Sequence, residues 1–188
     1  PQLVEAAARW EGPRARPALV GPVLSLLLRR ALRLGRRAPL EAHLSGRRHA
    51  VERDRGAVRH HYDVSDDFYR LFLDDGLVYS CAYFARGGER LEEAQRAKLD
   101  LVCRKLDLAA GERFLDVGCG WGALVEHAAL TRGARALGIT VSANQLEAAR
   151  ARLARLAGGA DVAVREDDYR TLRAERPFDK IASVGMME

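Results

Sequence analysis

Apolar and polar residues alternate in two different patterns along the second half of the chain. Short apolar runs separate longer segments in which apolar residues recur every three or four positions, as on one face of a helix. These patterns predict, in order, strand 113–117, helix 122–131, strand 135–140, helix 142–156, strand 161–165 and strand 179–184. Ser142 is expected to cap the second helix. The alternation favours an α/β fold with a mainly parallel, doubly wound, Rossmann-like sheet and helices on both faces. Since such sheets usually have more than four strands, this one is expected to be incomplete.

The first half of the chain contains less regular patterns. An amphipathic helix is predicted from Leu91 to Leu108, with apolar residues near one stripe and charged residues elsewhere. Ser65 is expected to cap a short helix that runs to about Leu73. Residues 79–84 are predicted to be irregular or extended. Nearer the N-terminus, Val23–Leu34 is predicted to form an apolar helix, and the arginines at its end complement the helix dipole.

Basic residues are concentrated at the N-terminal end of the chain. The net charge is +5, but residues 1–60 carry 13 arginines and only 5 acidic residues, whereas the rest of the chain is slightly acidic. This asymmetry favours a phosphate-bearing partner, either a membrane surface or nucleic acid. The alternative is a solvated, arginine-rich surface.

Composition excludes several classes of protein. The 188 residues are enough for one domain with a sizeable core plus an appendage, and 48% hydrophobic content is ordinary for a soluble globular protein. Cys81, Cys103 and Cys119 fit neither a disulfide framework nor a zinc site, so a reducing cytosol and no metal are expected. The longest apolar stretch, Ala18–Leu28, is far shorter than the roughly 20 residues that a transmembrane helix needs.

The motif over residues 114–122 carries the strongest chemical signal. A short apolar strand leads to Asp116 and then to Gly118, Gly120 and Gly122. Glycines at this spacing permit a tight turn at the carboxyl end of a strand and let a ligand approach the main chain. The nucleotide part of a cofactor can therefore lie across the turn, near the start of the following helix.

The residues around this turn favour one cofactor over another. The turn also fits the loose dinucleotide fingerprint, but the strand that ends at Thr140 is not followed by the acid that would hold a nicotinamide cofactor's ribose. Asp116 and the third glycine favour S-adenosylmethionine, whose amino-acid end carries an ammonium that a carboxylate can face. Many methyltransferases also have an acid after the second strand, so its absence is a departure under both interpretations.

The glycine turn belongs to a larger set of motifs. They are His60–Tyr69, Tyr79–Phe84, Leu115–Gly122 with Gly138–Gln145 behind it, and the helix Leu91–Lys98. Together they resemble the cyclopropane-fatty-acyl-phospholipid synthase family, which includes the mycolic acid cyclopropane synthases, over about residues 58–188. The resemblance implies a class I methyltransferase fold. It also implies transfer of a methylene from S-adenosylmethionine to a cis double bond of an unsaturated phospholipid acyl chain, which forms a cyclopropane ring.

The resemblance also implies which residues bind the cofactor. They are Tyr79, Ser80, Asp116, Gly118, Gly120, Gly122, Thr140, Gln145, Asp168 and Tyr169. Thr140 and Gln145 would replace the usual acid at the ribose with neutral hydrogen-bonding groups. Asp168 and Tyr169 would flank the adenine, where an aromatic face can stack.

After the methyl group has been transferred to the alkene, a base must remove a proton from it before the cyclopropane ring can close. In the family this base is thought to be bound bicarbonate, and the resemblance places Cys81 and Glu188 here as its catalytic ligands. Other ligands would lie beyond residue 188, so we expect a C-terminally truncated chain that is inactive when expressed alone. His60 and His61 are expected on an extended segment, where their side chains point in opposite directions. A structural hydrogen bond is the favoured role for them.

The expected organisation has three parts. They are a basic helical region at 1–57, a helical segment at 58–110 that covers substrate and cofactor, and the N-terminal half of the cofactor-binding domain at 111–188. The expected partners are unsaturated phospholipid acyl chains and an anionic membrane surface, at the cytoplasmic face of the inner membrane. No nucleic acid is expected, and a homodimer is left open. The alternatives are a fatty acyl methyltransferase with a methyl-branched product, and a non-catalytic module that binds lipid or nucleic acid.

Overall fold

A computed structural model describes residues 46–47, 49–62, 65–156 and 161–186, all within one compact unit. The predicted helix Val23–Leu34 and the predicted catalytic residue Glu188 lie outside the described residues. The described part of the chain contains no helix that is both long and apolar enough to cross a bilayer.

The helices and strands follow one another in an order close to the predicted one. They are α1 (Val51–Tyr62), α2 (Asp66–Arg70), α3 (Leu91–Lys105), β1 (Arg113–Val117), α4 (Ala123–Arg132), β2 (Arg135–Thr140), α5 (Ala143–Leu153), β3 (Val162–Glu166) and β4 (Lys180–Ala182). The bounds of β1 and β2 are those predicted, and the other elements after residue 112 differ by one to three residues at either end. Ser142 caps α5 as expected, because its Oγ accepts a hydrogen bond from Gln145 N at 3.4 Å.

Two expectations for the first half of the chain were wrong. His60 and His61 lie in helix α1 and not on an extended segment. The helix begins with Glu52 and Asp54 in its first turn, where their charges complement the positive end of the helix dipole. Neighbouring side chains on a helix are about 100° apart, so the argument from opposite directions does not apply. Ser65 precedes α2, but its side chain makes no capping hydrogen bond and the helix ends early, at Arg70.

The four strands form a parallel sheet in the order β3-β2-β1-β4. The chain moves outward from β1 through β2 to β3, and then returns to the other side of β1 to form β4. This reversal opens a crevice between the carboxyl ends of β1 and β4, which is where open α/β sheets bind ligands. The observed sheet confirms the predicted α/β, Rossmann-like fold class.

The sheet buries different residues on its two faces. One face belongs to a core cluster with α3, α4 and α5 that includes Phe114, Cys103, Leu124, Val125, Ala128, Leu146 and Ala149. The other face buries Leu115, Leu137 and Ile139 and packs against Leu172 and Phe178 of the β3–β4 connection. Because β1 is buried on both faces, it is a rigid strand that holds the start of the glycine turn in place.

A glycine in β2 lets the turn after β1 pack closely against the sheet. A Cβ atom at Gly138 would lie 2.8 Å from Cys119 Sγ and 2.9 Å from Val125 Cγ2, both closer than real Cβ contacts. Cys119 lies within the glycine turn and Val125 lies in the first turn of α4. The missing side chain at 138 therefore fixes how closely the turn and α4 approach β2.

We predict that Gly138→Ala lowers the free energy of unfolding by about 1–3 kcal/mol, because the added methyl overpacks this contact. Urea unfolding measures the change. Gly88→Ala is the matched control, since a Cβ there meets no atom within 4 Å and the backbone is not left-handed. Equal stability of the two variants would show that the contact at Gly138 is not tight.

Candidate functional site

A cavity of about 430 Å³ opens at the carboxyl ends of the strands. Its lining from the strand ends comprises residues 116–120 after β1, 139–141 after β2, 167–170 after β3 and 184–186 after β4. Helices α1 and α3 and the segment 77–80 also line the cavity, together with Trp121, the start of α4 and Gln145 of α5. The cavity thus occupies the crevice that the strand order creates.

Most of the predicted cofactor residues meet in this cavity. Its lining includes Tyr79, Ser80, Asp116, Gly118, Gly120, Thr140, Gln145, Asp168 and Tyr169. Gly122 is not part of the lining. It precedes α4, and a Cβ there would lie 3.2 Å from Ala149 Cβ, so the missing side chain lets the start of α4 pack closely on α5, and contact of Gly122 with the cofactor stays a prediction. Cys81 is exposed and does not line the cavity.

The glycine turn has the conformation that its sequence suggested. Gly118, Gly120 and Gly122 all have positive φ, at 76°, 53° and 81°. The turn is fixed to the end of β2, because the N–H groups of Gly118 and Cys119 both donate to Ile139 O at 2.9 and 3.0 Å. Among the described residues other than its two chain neighbours, no atom lies within 4 Å of a Cβ built at Gly120, so a ligand can reach the main chain there.

Asp116 presents a buried carboxylate to the cavity. Its side chain lies near the end of β1, the residue is 3% exposed, and it accepts no hydrogen bond from the described residues. Burial raises the pKa of Asp116 to about 7, and the positive charge of Lys98 acts in the opposite direction. A buried carboxylate without hydrogen bonds is costly, which is a feature expected of a binding site more than of a core.

Lys98 is a buried cation that the sequence analysis did not identify as a site residue. It reaches the cavity from α3, is 8% exposed, and donates from Nζ to Ser80 Oγ at 2.6 Å. Burial lowers the pKa of Lys98, whereas the charges of Asp74, Asp116 and Cys81 raise it. The signal was its position four residues after Ala94 on the apolar stripe of α3, where a lysine is rarely found without a partner.

The same helix holds the segment that carries Tyr79 and Ser80. Gln95 Nε2 donates to the carbonyl oxygens of Val78, at 3.1 Å, and Ser80, at 2.9 Å. Val78 N donates to Asp74 Oδ1 at 2.8 Å. These bonds fix the backbone on both sides of Tyr79, and they support a left-handed conformation at Leu77, where φ is 51°.

Aromatic side chains surround Tyr79 at the mouth of the cavity. Its ring lies 5.5 Å from that of Tyr69 and 6.3 Å from that of Phe72, both in edge-to-face geometry. Trp121 packs on Tyr69 at 4.9 Å and donates from Nε1 to Asp66 Oδ1 at 2.8 Å. The start of α2 is therefore attached to the glycine turn, and half-exposed aromatic faces flank the cavity.

Thr140 and Gln145 form a buried hydrogen-bonded pair where β2 ends. Thr140 Oγ1 donates to Gln145 Oε1 at 2.8 Å and accepts from Ser142 N at 3.2 Å. This arrangement uses the carbonyl of Gln145 and leaves its amide N–H groups without a partner in the described part of the chain. The pair thus presents a neutral donor to the cavity in place of an acid.

Asp168 is engaged by an arginine beside the cavity. Arg170 donates to it from Nε at 2.8 Å and from Nη2 at 2.6 Å, and these bonds lower the pKa of Asp168. Arg170 Nη1 also donates to Asp54 Oδ2 of α1 at 2.8 Å. A bidentate pair thus connects α1 to the end of β3, while neighbouring Tyr169 remains 57% exposed at the rim.

Comparison with known proteins gives a consistent set of relatives. The family described as mycolic acid cyclopropane synthetase matches residues 49–188. The chain is 46% identical over 142 residues to the probable fatty acid methyltransferase of Pseudomonas putida, which covers 76% of this chain and 36% of the relative. It is 42% identical over 130 residues to the cyclopropane-fatty-acyl-phospholipid synthase of Escherichia coli, which covers 69% of this chain and 32% of the relative.

A solved structure extends the likeness to three dimensions. The crystal structure of mycolic acid cyclopropane synthase CmaA1 complexed with SAH and CTAB has a TM-score of 0.68 and 41% identity, over 71% of this chain and 46% of that one. The chain therefore spans about a third to a half of the length of these relatives.

The buried Asp116 makes stability depend on pH. A carboxyl whose pKa is raised to about 7 holds its proton more tightly in the folded state, so stability is lost as pH rises from about 4 through 7. We predict that Asp116→Asn gains about 2–3 kcal/mol over the wild type between pH 5 and pH 8, because Asn cannot ionise. Denaturant unfolding at both pH values measures the gain.

The matched control is Asp75→Asn, which changes an exposed carboxylate in the same part of the fold. The change in the Asp116→Asn difference between the two pH values is measured against the change for this variant. An Asp116→Asn difference that is independent of pH would mean that the carboxyl is not desolvated in the folded protein.

Proposed function

Because this chain belongs to the mycolic acid cyclopropane synthetase family, we propose a lipid-modifying activity for the protein. It transfers a methylene from S-adenosylmethionine to a cis double bond of an unsaturated phospholipid acyl chain and forms a cyclopropane ring. The observation that carries the proposal is the cavity at the strand ends, where an open glycine turn, a buried carboxylate and aromatic faces meet.

The described residues fit S-adenosylmethionine. Gly120 leaves room for a ligand against the main chain, and Asp116 offers a carboxylate without hydrogen bonds to an ammonium group. The free amide of Gln145 suits a ribose hydroxyl, and the exposed face of Tyr169 suits stacking on adenine. The similar CmaA1 structure was solved with SAH, which supports a cofactor of this type.

The remaining chemistry concerns water and charge. When bound, the cofactor supplies a methyl group on a positively charged sulfur. The cavity lining also includes the side chains of Leu77, Val102 and Trp121, and such an apolar lining would limit the access of water to the reacting groups. An alkene that took this methyl group would release S-adenosylhomocysteine and carry a positive charge, which the face of Tyr79 would stabilise as aromatic faces stabilise other cations. Loss of a proton from the transferred methyl to a base would then close the ring.

Bicarbonate as the base stays a prediction from the resemblance. Cys81 is exposed next to Ser80, and Glu188 lies outside the described residues. The described residues alone do not form a site for this anion, so we derive no step through it.

A second function is favoured by the names of two relatives. Proteins of Pseudomonas putida and Mycobacterium tuberculosis, 46% and 43% identical to the chain, are named probable fatty acid methyltransferases. Such an enzyme would use the same cofactor site but give a methyl-branched product. The remaining alternative is a non-catalytic module that binds lipid or nucleic acid. In such a protein the cavity would bind its ligand without transferring a methyl group.

We predict that the complete gene product, which includes these 188 residues, adds about 14 mass units (one CH₂) to unsaturated acyl chains. The assay uses S-adenosylmethionine labelled in the methyl group and vesicles of unsaturated phospholipid. Fragmentation distinguishes a ring from a methyl branch, and saturated vesicles are the control. Label found only in nucleic acid, or in saturated and unsaturated lipid alike, would contradict the proposal.

The membrane is the proposed source of substrate. We place the protein in the cytoplasm, peripheral to the inner membrane, and the support is the arginine excess over residues 1–60. A homodimer stays a prediction.

Binding of the chain to anionic phospholipid vesicles is expected to weaken as salt rises. The Debye length shortens from about 10 Å at 0.1 M salt to about 3 Å at 1 M, which screens the attraction. Vesicle co-sedimentation measures the bound fraction, with neutral vesicles as the control. Binding that is independent of salt would count against an electrostatic attachment.

A further inference from the structure

Two buried side chains of opposite charge face the cavity without pairing with each other. Lys98 is 8% exposed and Asp116 is 3% exposed, yet no nitrogen of Lys98 lies within 4.0 Å of an oxygen of Asp116. The charged form of Lys98 is favoured first by the buried carboxylate of Asp74 and then by that of Asp116, and Lys98 in turn favours the charged form of Asp116. Burying two ions without direct contact is costly, so a ligand that contacts both would recover part of this cost.

Lys98 and Ser80 together leave several hydrogen-bond donors unused. An ammonium has three N–H groups, and the bond to Ser80 Oγ is its single hydrogen bond to the described residues. Because the Ser80 hydroxyl accepts this bond, its own hydrogen remains available. Gln95 fixes the carbonyl of Ser80, which holds the hydroxyl beside Lys98 at the cavity wall.

The ligand group that fits both Lys98 with Ser80 and Asp116 is an α-amino acid. Its carboxylate needs adjacent donors with positive charge, which Lys98 and Ser80 offer. Its ammonium needs an acceptor with negative charge, which Asp116 offers, since its carboxylate accepts no hydrogen bond from the described residues.

We propose that Lys98, together with Ser80, binds the carboxylate of the cofactor's amino-acid end while Asp116 faces its ammonium. Lys98 is then a cofactor-binding residue and not only a support for the segment that carries Tyr79. This inference rests on the proposed function for the identity of the cofactor.

Calorimetric titration of the chain with three adenosyl ligands isolates the carboxylate. The ligands are S-adenosylhomocysteine, its decarboxylated amine and 5′-methylthioadenosine, which lacks both charged groups. All three have an uncharged sulfur. The wild type is expected to bind S-adenosylhomocysteine about 10- to 100-fold more tightly than the decarboxylated amine, the range for a hydrogen bond to a charged group.

Three lysine substitutions that keep a side chain of similar length separate the loss of a ligand contact from a loss of packing. Lys98→Met is expected to lose the same 10- to 100-fold for S-adenosylhomocysteine and to change the affinity of the other two ligands by less than about threefold. Lys105→Met, at an exposed position on the same helix, is expected to change none of the three. Lys98→Arg keeps the charge and is expected to retain part of the preference for the carboxylate.

The outcomes distinguish the inference from the function on which it rests. Equal losses for all three ligands in Lys98→Met would assign Lys98 a purely structural role and overturn the inference. Equal affinities of the wild type for S-adenosylhomocysteine and its decarboxylated amine would also overturn it, and this comparison decides the matter even if Lys98→Met does not fold. Failure of the wild type to bind any adenosyl ligand would overturn the proposed function itself.

Discussion

The burial of the Asp116 carboxylate at the carboxyl end of β1 is the constraint on which the rest of the site depends. β1 is covered on both faces, so its last residues cannot move toward water. The glycine turn that follows is fixed to Ile139 of β2, and at Gly120 its backbone is open to the cavity, whereas Met186 lies close to Gly118. The fold therefore accepts an unfavourable buried charge at the place where a cationic group of a ligand can compensate it.

Helix α3 provides the complementary half of this arrangement. It brings Lys98 into the cavity opposite Asp116, and through Gln95 it fixes both carbonyls that flank Tyr79. The left-handed backbone at Leu77 is a local strain that such bonds can maintain. Arg170 connects α1 to Asp168 after β3, so that this part of the cavity wall is also held by charge-assisted bonds. The cavity is thus built from contacts between segments far apart in sequence.

The sequence predicted what local chemistry determines. The apolar runs of β1 and β2 and the glycines after β1 are local signals, and the structure has the expected strands and positive φ angles. Helix α1 was missed because its surface is mostly polar and its position depends on ion pairs such as that of Asp54 with Arg170. The role of Lys98 depends on a hydrogen bond to Ser80, eighteen residues earlier, and only its unusual place on an apolar stripe could have indicated it. The packing of Gly122 against Ala149 of α5 is a contact between residues far apart in sequence, which the spacing of the glycines alone does not indicate.

A crystal structure of the chain with S-adenosylhomocysteine would test the central claim most directly. The account predicts that the ligand occupies the cavity at the strand ends, with its amino-acid end within hydrogen-bonding distance of Asp116 and Lys98. Its ribose would lie near Gln145 and its adenine near Tyr169. A ligand bound in the reverse orientation, or bound elsewhere while the cavity contains only solvent, would contradict it.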